Sequence, residues 1–245
     1  MQTIAIVNEK GGTGKTTCAV NLAAALGERG RRVLLVDLDG QAAASRWLGV
    51  EADVRLVGAL RAGGGLRPIP DVVPGVSLAP GHADLTALGR ELRETQGGRL
   101  RRVLAELHGF DYTIVDCPPS LDNRLVALAI YAAGQALVPV ETSILALHGL
   151  SILLDTLADV REGMGHEVRL AGVLACRFDA RTRLSFDVLA ELRRALPGKV
   201  FKTTIRENVR LRECPAHRQS ILTYAPQSHG AEDFRALAKE LERRL

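Results

Sequence analysis

Aromatic residues are scarce in this chain: five Phe, three Tyr and one Trp make up 4% of 245 residues. A core of that composition must be built from Val, Ile, Leu and Ala. Cysteine is scarce too. Cys18, Cys117, Cys176 and Cys214 stand far apart and form no C-x-x-C pair. That argues against a zinc site or a disulfide framework and for reduced thiols in a cytoplasmic protein. No apolar run approaches the ~20 residues that cross a bilayer. The N-terminus runs from Met1 straight into an apolar strand, without the basic and apolar regions of a signal peptide, so none is expected. No helix-turn-helix or zinc motif offers base-specific reading of DNA.

What is present describes a soluble globular chain, 47% hydrophobic and 24% charged. Its length suffices to bury a core without cross-links. No linker, repeat or low-complexity segment divides it, so one domain over residues 1–245 is expected. The Gly/Pro-rich stretch Gly63–Pro80 reads as a mobile excursion. The net charge of +4 is unevenly spread. Residues 1–160 hold 15 Lys/Arg and 17 Asp/Glu, net −2, whereas residues 161–245 hold 17 and 11, net +6. A polyanion-binding face toward the C-terminus is compatible with that asymmetry.

Short apolar runs alternate with helical periodicity. Ile4–Val7, Val33–Val36, Tyr112–Val115, Ala136–Val140 and Leu170–Ala175 read as buried strands. Thr16–Glu28, Leu125–Ala133, Leu184–Leu196 and Ala231–Leu245 read as helices. Continuous apolar strands between helices predict an α/β fold, a mostly parallel twisted sheet with helices on both faces.

The chemistry begins at Lys10-Gly11-Gly12-Thr13-Gly14-Lys15-Thr16-Thr17, between a strand and a helix. In that context the segment is a P-loop. Its glycines let backbone N–H groups turn toward phosphate oxygens, and the helix N-terminus adds a positive dipole end. Lys15 is expected to reach the β- and γ-phosphates of ATP, and the Thr16 hydroxyl to bind Mg²⁺. Glu9 stands where the standard pattern has its first glycine, and Lys10 is an additional cation. Two acidic motifs, Asp37-Leu38-Asp39 and Asp116-Cys117-Pro118-Pro119, end apolar strands, where ligands sit in open α/β sheets. Asp116 is expected to hold Mg²⁺ and Asp39 to orient the attacking water beside the metal. Asp37 is left open between support of the site and helix capping.

These motifs, with Phe178–Thr182, Asn208–Leu211, Pro139-Val140, a Val200–Thr204 strand and Ser228–Glu232, resemble the ParA/Soj family of deviant Walker-type DNA-partition ATPases over essentially the whole chain. The resemblance implies a P-loop NTPase fold and an ATP-dependent sandwich homodimer. Lys10 would reach the other subunit's nucleotide, Lys15 its own, and Asp39 would be the hydrolytic aspartate. It further implies adenine contacts at Arg206–Asn208 and non-specific double-stranded DNA bound by Arg181 and Arg210. A ParB-type DNA-bound partner would stimulate hydrolysis. A cytoplasmic, nucleoid-associated protein with no membrane contact is expected. Four positions depart from the family pattern: Glu9, Gly40, Arg206 and Arg212 replace its Gln, Pro, Pro and Ser. Glu9 adds negative charge at the P-loop, and Gly40 is expected to loosen the loop carrying Asp39. Alternatives are a relative that positions another cargo and a non-hydrolysing, nucleotide-dependent DNA-binding regulator. A MinD-like membrane ATPase would need an amphipathic tail, and a relative of the nitrogenase iron protein would need a second cluster cysteine.

Overall fold

The computed structural model describes residues 1–91, 98–119, 124–143 and 168–245. Seven strands form one sheet: β1 (Gln2–Ile6), β2 (Val33–Asp37), β3 (Ile69–Val73), β4 (Val76–Ala79), β5 (Tyr112–Asp116), β6 (Gln135–Glu141) and β7 (Arg169–Cys176). Their order is β3-β4-β2-β5-β1-β6-β7. Only the β3–β4 pair is antiparallel. The Gly63–Pro80 stretch is therefore not an excursion. It holds β3 and β4, and β4 pairs in parallel with β2 from Val33↔Val76 to Val36↔Ala79. Pro74-Gly75 supplies the tight turn, with Gly75 at φ 76°.

Helices cover both faces. One carries α3 (Arg55–Ala62), α4 (Asp84–Glu91), α5 (Arg99–Ala105), α6 (Arg124–Ala133) and α7 (Arg183–Ala195). The other carries α1 (Lys15–Glu28), α2 (Ala43–Trp47), α8 (Val209–His217), α9 (Ile221–Tyr224) and α10 (His229–Arg244). The core is aliphatic as composition requires. Phe201 and Phe234 are fully buried in it and both lie on the α1 face. Small residues let α1 sit deep: Ala19, Ala23, Ala24 and Ala25 are all buried between the sheet and α10. No helix among the described residues is long and apolar enough to cross a membrane.

The Val200–Thr204 strand expected from the resemblance does not form. Val200 and Arg206 make single bridges to Val173 and Phe178, and the chain between them follows β7 only intermittently. The reason is competition for its donors. The N–H groups of Lys202 and Thr203 both donate to the Glu240 carboxylate of α10 at 2.8 Å.

Asn21 ties the P-loop helix to the C-terminal helices. It is fully buried. Its Nδ2 donates to the Thr17 carbonyl at 2.8 Å, and its Oδ1 accepts the Ile221 N–H at 2.7 Å. Asn21→Ala leaves that N–H without a partner inside the protein, and should cost about 1–3 kcal/mol in urea unfolding. A loss under about 0.5 kcal/mol would mean the amide carries no such load.

Candidate nucleotide site

β1 is central, and the chain leaves its C-terminal end to form residues 8–14 before α1 begins. Gly12 and Gly14 adopt φ of 79° and 91°, a region closed to most side chains. α1 starts at Lys15 with no side-chain cap on Gly14, so its first N–H groups remain available to an anion. The loop is braced from beneath. Asn8 Nδ2 donates to the Pro139 carbonyl at 2.7 Å, and the Lys10 N–H to Asn8 Oδ1 at 3.0 Å. The Lys10 carbonyl accepts from Thr13 Oγ1 at 3.2 Å and from Lys15 Nζ at 3.1 Å.

The two lysines of the loop face different surroundings. Lys15 is buried, and burial lowers its pKa against the pull of Asp116, Cys117 and Asp39. The side chain of Lys10 is 52% exposed. It does have an in-chain neighbour: its ammonium is 3.9 Å from Glu141 Oε2. Lys10 therefore has a partner within its own chain. Glu141 could not be found from the sequence because only the β1–β6 pairing brings its strand beside the P-loop.

The two acidic motifs lie on adjacent strands with Asp37 opposite Asp116. Both are fully buried. Asp37 resolves as a structural brace: its Oδ2 accepts Ser45 N–H at 2.8 Å and Ser45 Oγ–H at 2.7 Å, and its Oδ1 accepts Asp39 N–H at 3.3 Å. Burial still raises its pKa to about 6, with those donors opposing. Asp116 is pushed up further by burial and by Asp37, against the Thr16 hydroxyl and Lys15. Among the described residues neither Asp116 oxygen has a hydrogen-bond partner. A buried carboxylate left that way is suited to a cation or its bound water. Asp39 sits on the turn after β2, where its Oδ1 accepts Gln41 N–H at 2.9 Å and its carbonyl accepts Ala42 N–H at 2.9 Å. Gly40 sits where that turn meets α4. A Cβ there would lie 2.2 Å from Thr86 Oγ1, so glycine permits α4 to pack against it.

A cavity of about 300 Å³ opens beside the P-loop, between Gly12, Gly14, Thr17 and Cys18 on one side and Trp47, Arg177, Arg206 and Asn208 on the other. Trp47, the only tryptophan of the chain, is held there by its indole N–H on the Gln219 carbonyl at 2.8 Å. Arg206 lines this space, but its guanidinium is engaged by Asp233 at 2.6 Å and Glu232 at 3.0 Å. Asn208 caps α8, its Oδ1 accepting Arg210 N–H at 2.9 Å. The loop carrying Arg181 runs beside the segment that leads into Arg210 at the start of α8: Phe178 N–H donates to the Ile205 carbonyl and Glu207 N–H to the Phe178 carbonyl, each at 3.0 Å. Arg181 is 86% exposed and paired with Asp179, and Arg210 is 58% exposed and paired with Glu213. Cys117 and Cys214 are buried, as are Cys18 and Cys176, whose sulfurs lie 3.7 Å apart beneath the cavity. All four are free thiols.

A loop that offers backbone donors to an anion, with an unpartnered carboxylate at the end of the neighbouring strand, defines a P-loop nucleotide hydrolase. Comparison with known proteins narrows this class. Residues 1–170 match the family described as AAA domain. Chromosome-partitioning ATPase Soj of Thermus thermophilus is 43% identical over 242 residues, 99% of this chain and 96% of that protein. Sporulation initiation inhibitor protein Soj of Bacillus subtilis is 41% identical over 254 residues, 97% of each. Among solved structures, cobyrinic acid a,c-diamide synthase from Mycobacterium smegmatis with bound ADP and magnesium superposes at a TM-score of 0.81. It is 32% identical, and the match covers 99% of this chain and 94% of that one. The chain belongs to the Soj/ParA family of P-loop ATPases, and the donors of residues 11–17 and the bare Asp116 suit ATP with Mg²⁺ as its cofactors.

The buried acid pair gives the nucleotide-free protein a pH dependence. Both folded pKa values lie above the unfolded ones, so the folded state binds the extra protons. The stabilisation is complete below about pH 4. It is lost as the pH rises through about 6 for Asp37, and as it rises past the ordinary carboxylate range for Asp116. Asp116→Asn removes one charge of the pair. With EDTA present, its urea midpoint should exceed that of the wild type at pH 7.5, and the difference should shrink as the pH falls toward about 4.5. Equal midpoints at both values would show that the pair carries no electrostatic penalty.

Proposed function

We propose that this chain is a chromosome- or plasmid-partition ATPase. It binds non-specific double-stranded DNA as an ATP-bound sandwich homodimer and leaves it on hydrolysis stimulated by a ParB-type DNA-bound partner. The observation that carries the dimer is the contrast between two lysines five positions apart: Lys15 turned into its own loop, Lys10 half exposed on the rim. The kinship with Soj chromosome-partitioning ATPases supports the biological setting.

In this reading the N–H groups of Gly11, Gly12, Thr13, Gly14, Lys15, Thr16 and Thr17 cradle the phosphates. Lys15 exchanges the Lys10 carbonyl for phosphate oxygens. Thr16 and Asp116 hold the Mg²⁺ site, Asp116 through water. Bound Mg²⁺ neutralises charge between the β- and γ-phosphates. Asp39 orients the attacking water at the edge of the metal site, and Lys10 serves the partner subunit's nucleotide. The base occupies the cavity beside Arg206 and Asn208, the arginine acting on the loop's position through Asp233 rather than on the base.

The DNA face is the rim formed by the loop of Arg181 and the start of α8 at Arg210. Between Arg177 and Arg218 lie 11 Lys/Arg and 5 Asp/Glu, net +6. Each arginine must exchange its carboxylate for a phosphate. A monomer therefore binds weakly, and dimerisation places two rims on one duplex. The location that follows is cytoplasmic and nucleoid-associated.

Two variants separate the steps. Lys10→Ala should bind ATP but fail to form the ATP dimer, and Asp39→Ala should form it and stall. Light scattering with Mg²⁺–ATP distinguishes them, and identical behaviour would refute the division of roles. For DNA, Arg181→Ala/Arg210→Ala should keep ATP binding and dimerisation yet lose retention on DNA at ~0.1 M salt, where screening reaches ~10 Å. Retention that is the same with ATP, ADP and no nucleotide, or undiminished in the double variant, would overturn the partition reading and leave the ATPase standing.

A further inference from the structure

Glu141, the last residue of β6, divides its carboxylate. Oε2 faces Lys10 Nζ at 3.9 Å, and Oε1 faces Arg177 Nη1 at 3.0 Å. Register places Glu141 opposite Cys176 at the end of β7, and Arg177 follows directly. The backbone of Arg177 turns through φ 53°, the left-handed region that a residue with a Cβ enters only at a cost. The turn aims its guanidinium at two carboxylates. Besides Glu141, its Nε lies 3.3 Å from Glu207 Oε2, and the other oxygen of Glu207 pairs with Arg212. The Arg177 carbonyl is held in turn by Thr142 Oγ1 at 3.3 Å. Two cations, one half exposed on the P-loop rim and one on a left-handed turn, thus share one carboxylate.

We propose that Glu141 is a positioning residue for Lys10: a clasp that holds the lysine against its own subunit, with Arg177 setting how much of the carboxylate Lys10 receives. The consequence for assembly rests on the sandwich-dimer reading; the clasp itself does not. The side chains of Lys10 and Glu141 are 52% and 27% exposed, so the pair is weak, worth about 1.5- to 5-fold in an equilibrium. Weakness suits the role. A nucleotide phosphate of higher charge, offered by a second subunit, takes the lysine away. Until then Lys10 is biased toward its own subunit by that factor.

The clasp predicts opposite effects from its two ends. Removing the charge of Glu141 frees the Lys10 ammonium from its in-chain partner. Removing Arg177 leaves the whole carboxylate to Lys10 and holds it more closely. In the nucleotide-free full chain, limiting acetylation by acetic anhydride, read site by site by mass spectrometry, should modify Lys10 about 1.5- to 5-fold faster in Glu141→Gln and correspondingly slower in Arg177→Ala. The exposed Lys239 serves as the internal reference. General loosening of the fold would speed both variants, and such a result, or an unchanged rate in Glu141→Gln, overturns the clasp. Sedimentation with Mg²⁺ and a non-hydrolysable ATP analogue then tests the consequence. Glu141→Gln should tighten the dimer by a similar factor, and Lys10→Ala/Glu141→Gln should stay as monomeric as Lys10→Ala alone. An effect that persists without Lys10 refutes the proposal. A wild type that stays monomeric while the acetylation rates shift as expected refutes the dimer and leaves the clasp in place.

Discussion

Two carboxylates buried side by side set the terms for the whole site. Parallel register between β2 and β5 puts Asp37 opposite Asp116, with no solvent reaching either. Like charges so placed are costly unless donors or cations compensate them. The fold compensates them unequally. Asp37 receives three donors from Ser45 and Asp39, which fastens the turn after β2. Asp116 receives none among the described residues. The neighbouring positive end of α1 and the buried Lys15 supply part of the missing compensation, and a divalent cation would complete it. One carboxylate is thereby spent on architecture and the other reserved for chemistry.

The arginines around the cleft follow a second rule: almost every guanidinium already has a carboxylate. Arg177 holds Glu141 and Glu207, Arg181 holds Asp179, Arg206 holds Asp233, and Arg210 holds Glu213. Arg181 lowers the Asp179 pKa to about 2, a measure of how closely the pair is matched. A basic surface built from such pairs has less free charge than its composition suggests. A polyanion meeting such a surface would have to exchange one carboxylate for one phosphate, and that exchange is sensitive to salt. Where the pair is bound more deeply, as with Arg206 and Asp233, the arginine belongs to the structure of the cavity wall.

Strand, loop and helix around the P-loop were legible because their signals are local. Apolar β-branched runs end in carboxylates, glycines mark the left-handed turns, and the alanine-rich face of α1 follows at once. β4 was not legible. Its four residues, Val76-Ser77-Leu78-Ala79, sit among Gly and Pro, and only pairing with β2 makes them a strand. The segment after α7 misled in the other direction. Its β-like residues Val200–Thr204 give up ladder bonds because Glu240, far along the chain, takes the N–H groups of Lys202 and Thr203.

The chain's own order of residues determined the α/β class, the phosphate loop, the acidic strand ends and the family, since each depends on spacing within a few positions. It could not determine which charges meet. Asp37 with Asp116, Lys10 with Glu141, Arg177 with Glu207 and Arg206 with Asp233 are joined across 27 to 131 positions, the separations read directly from the numbering. Such pairs carry no periodicity and no turn signal. They exist because a parallel sheet brings the C-terminal ends of distant strands to one edge, where side chains of a few ångströms' reach select their partners from whatever the topology has placed beside them.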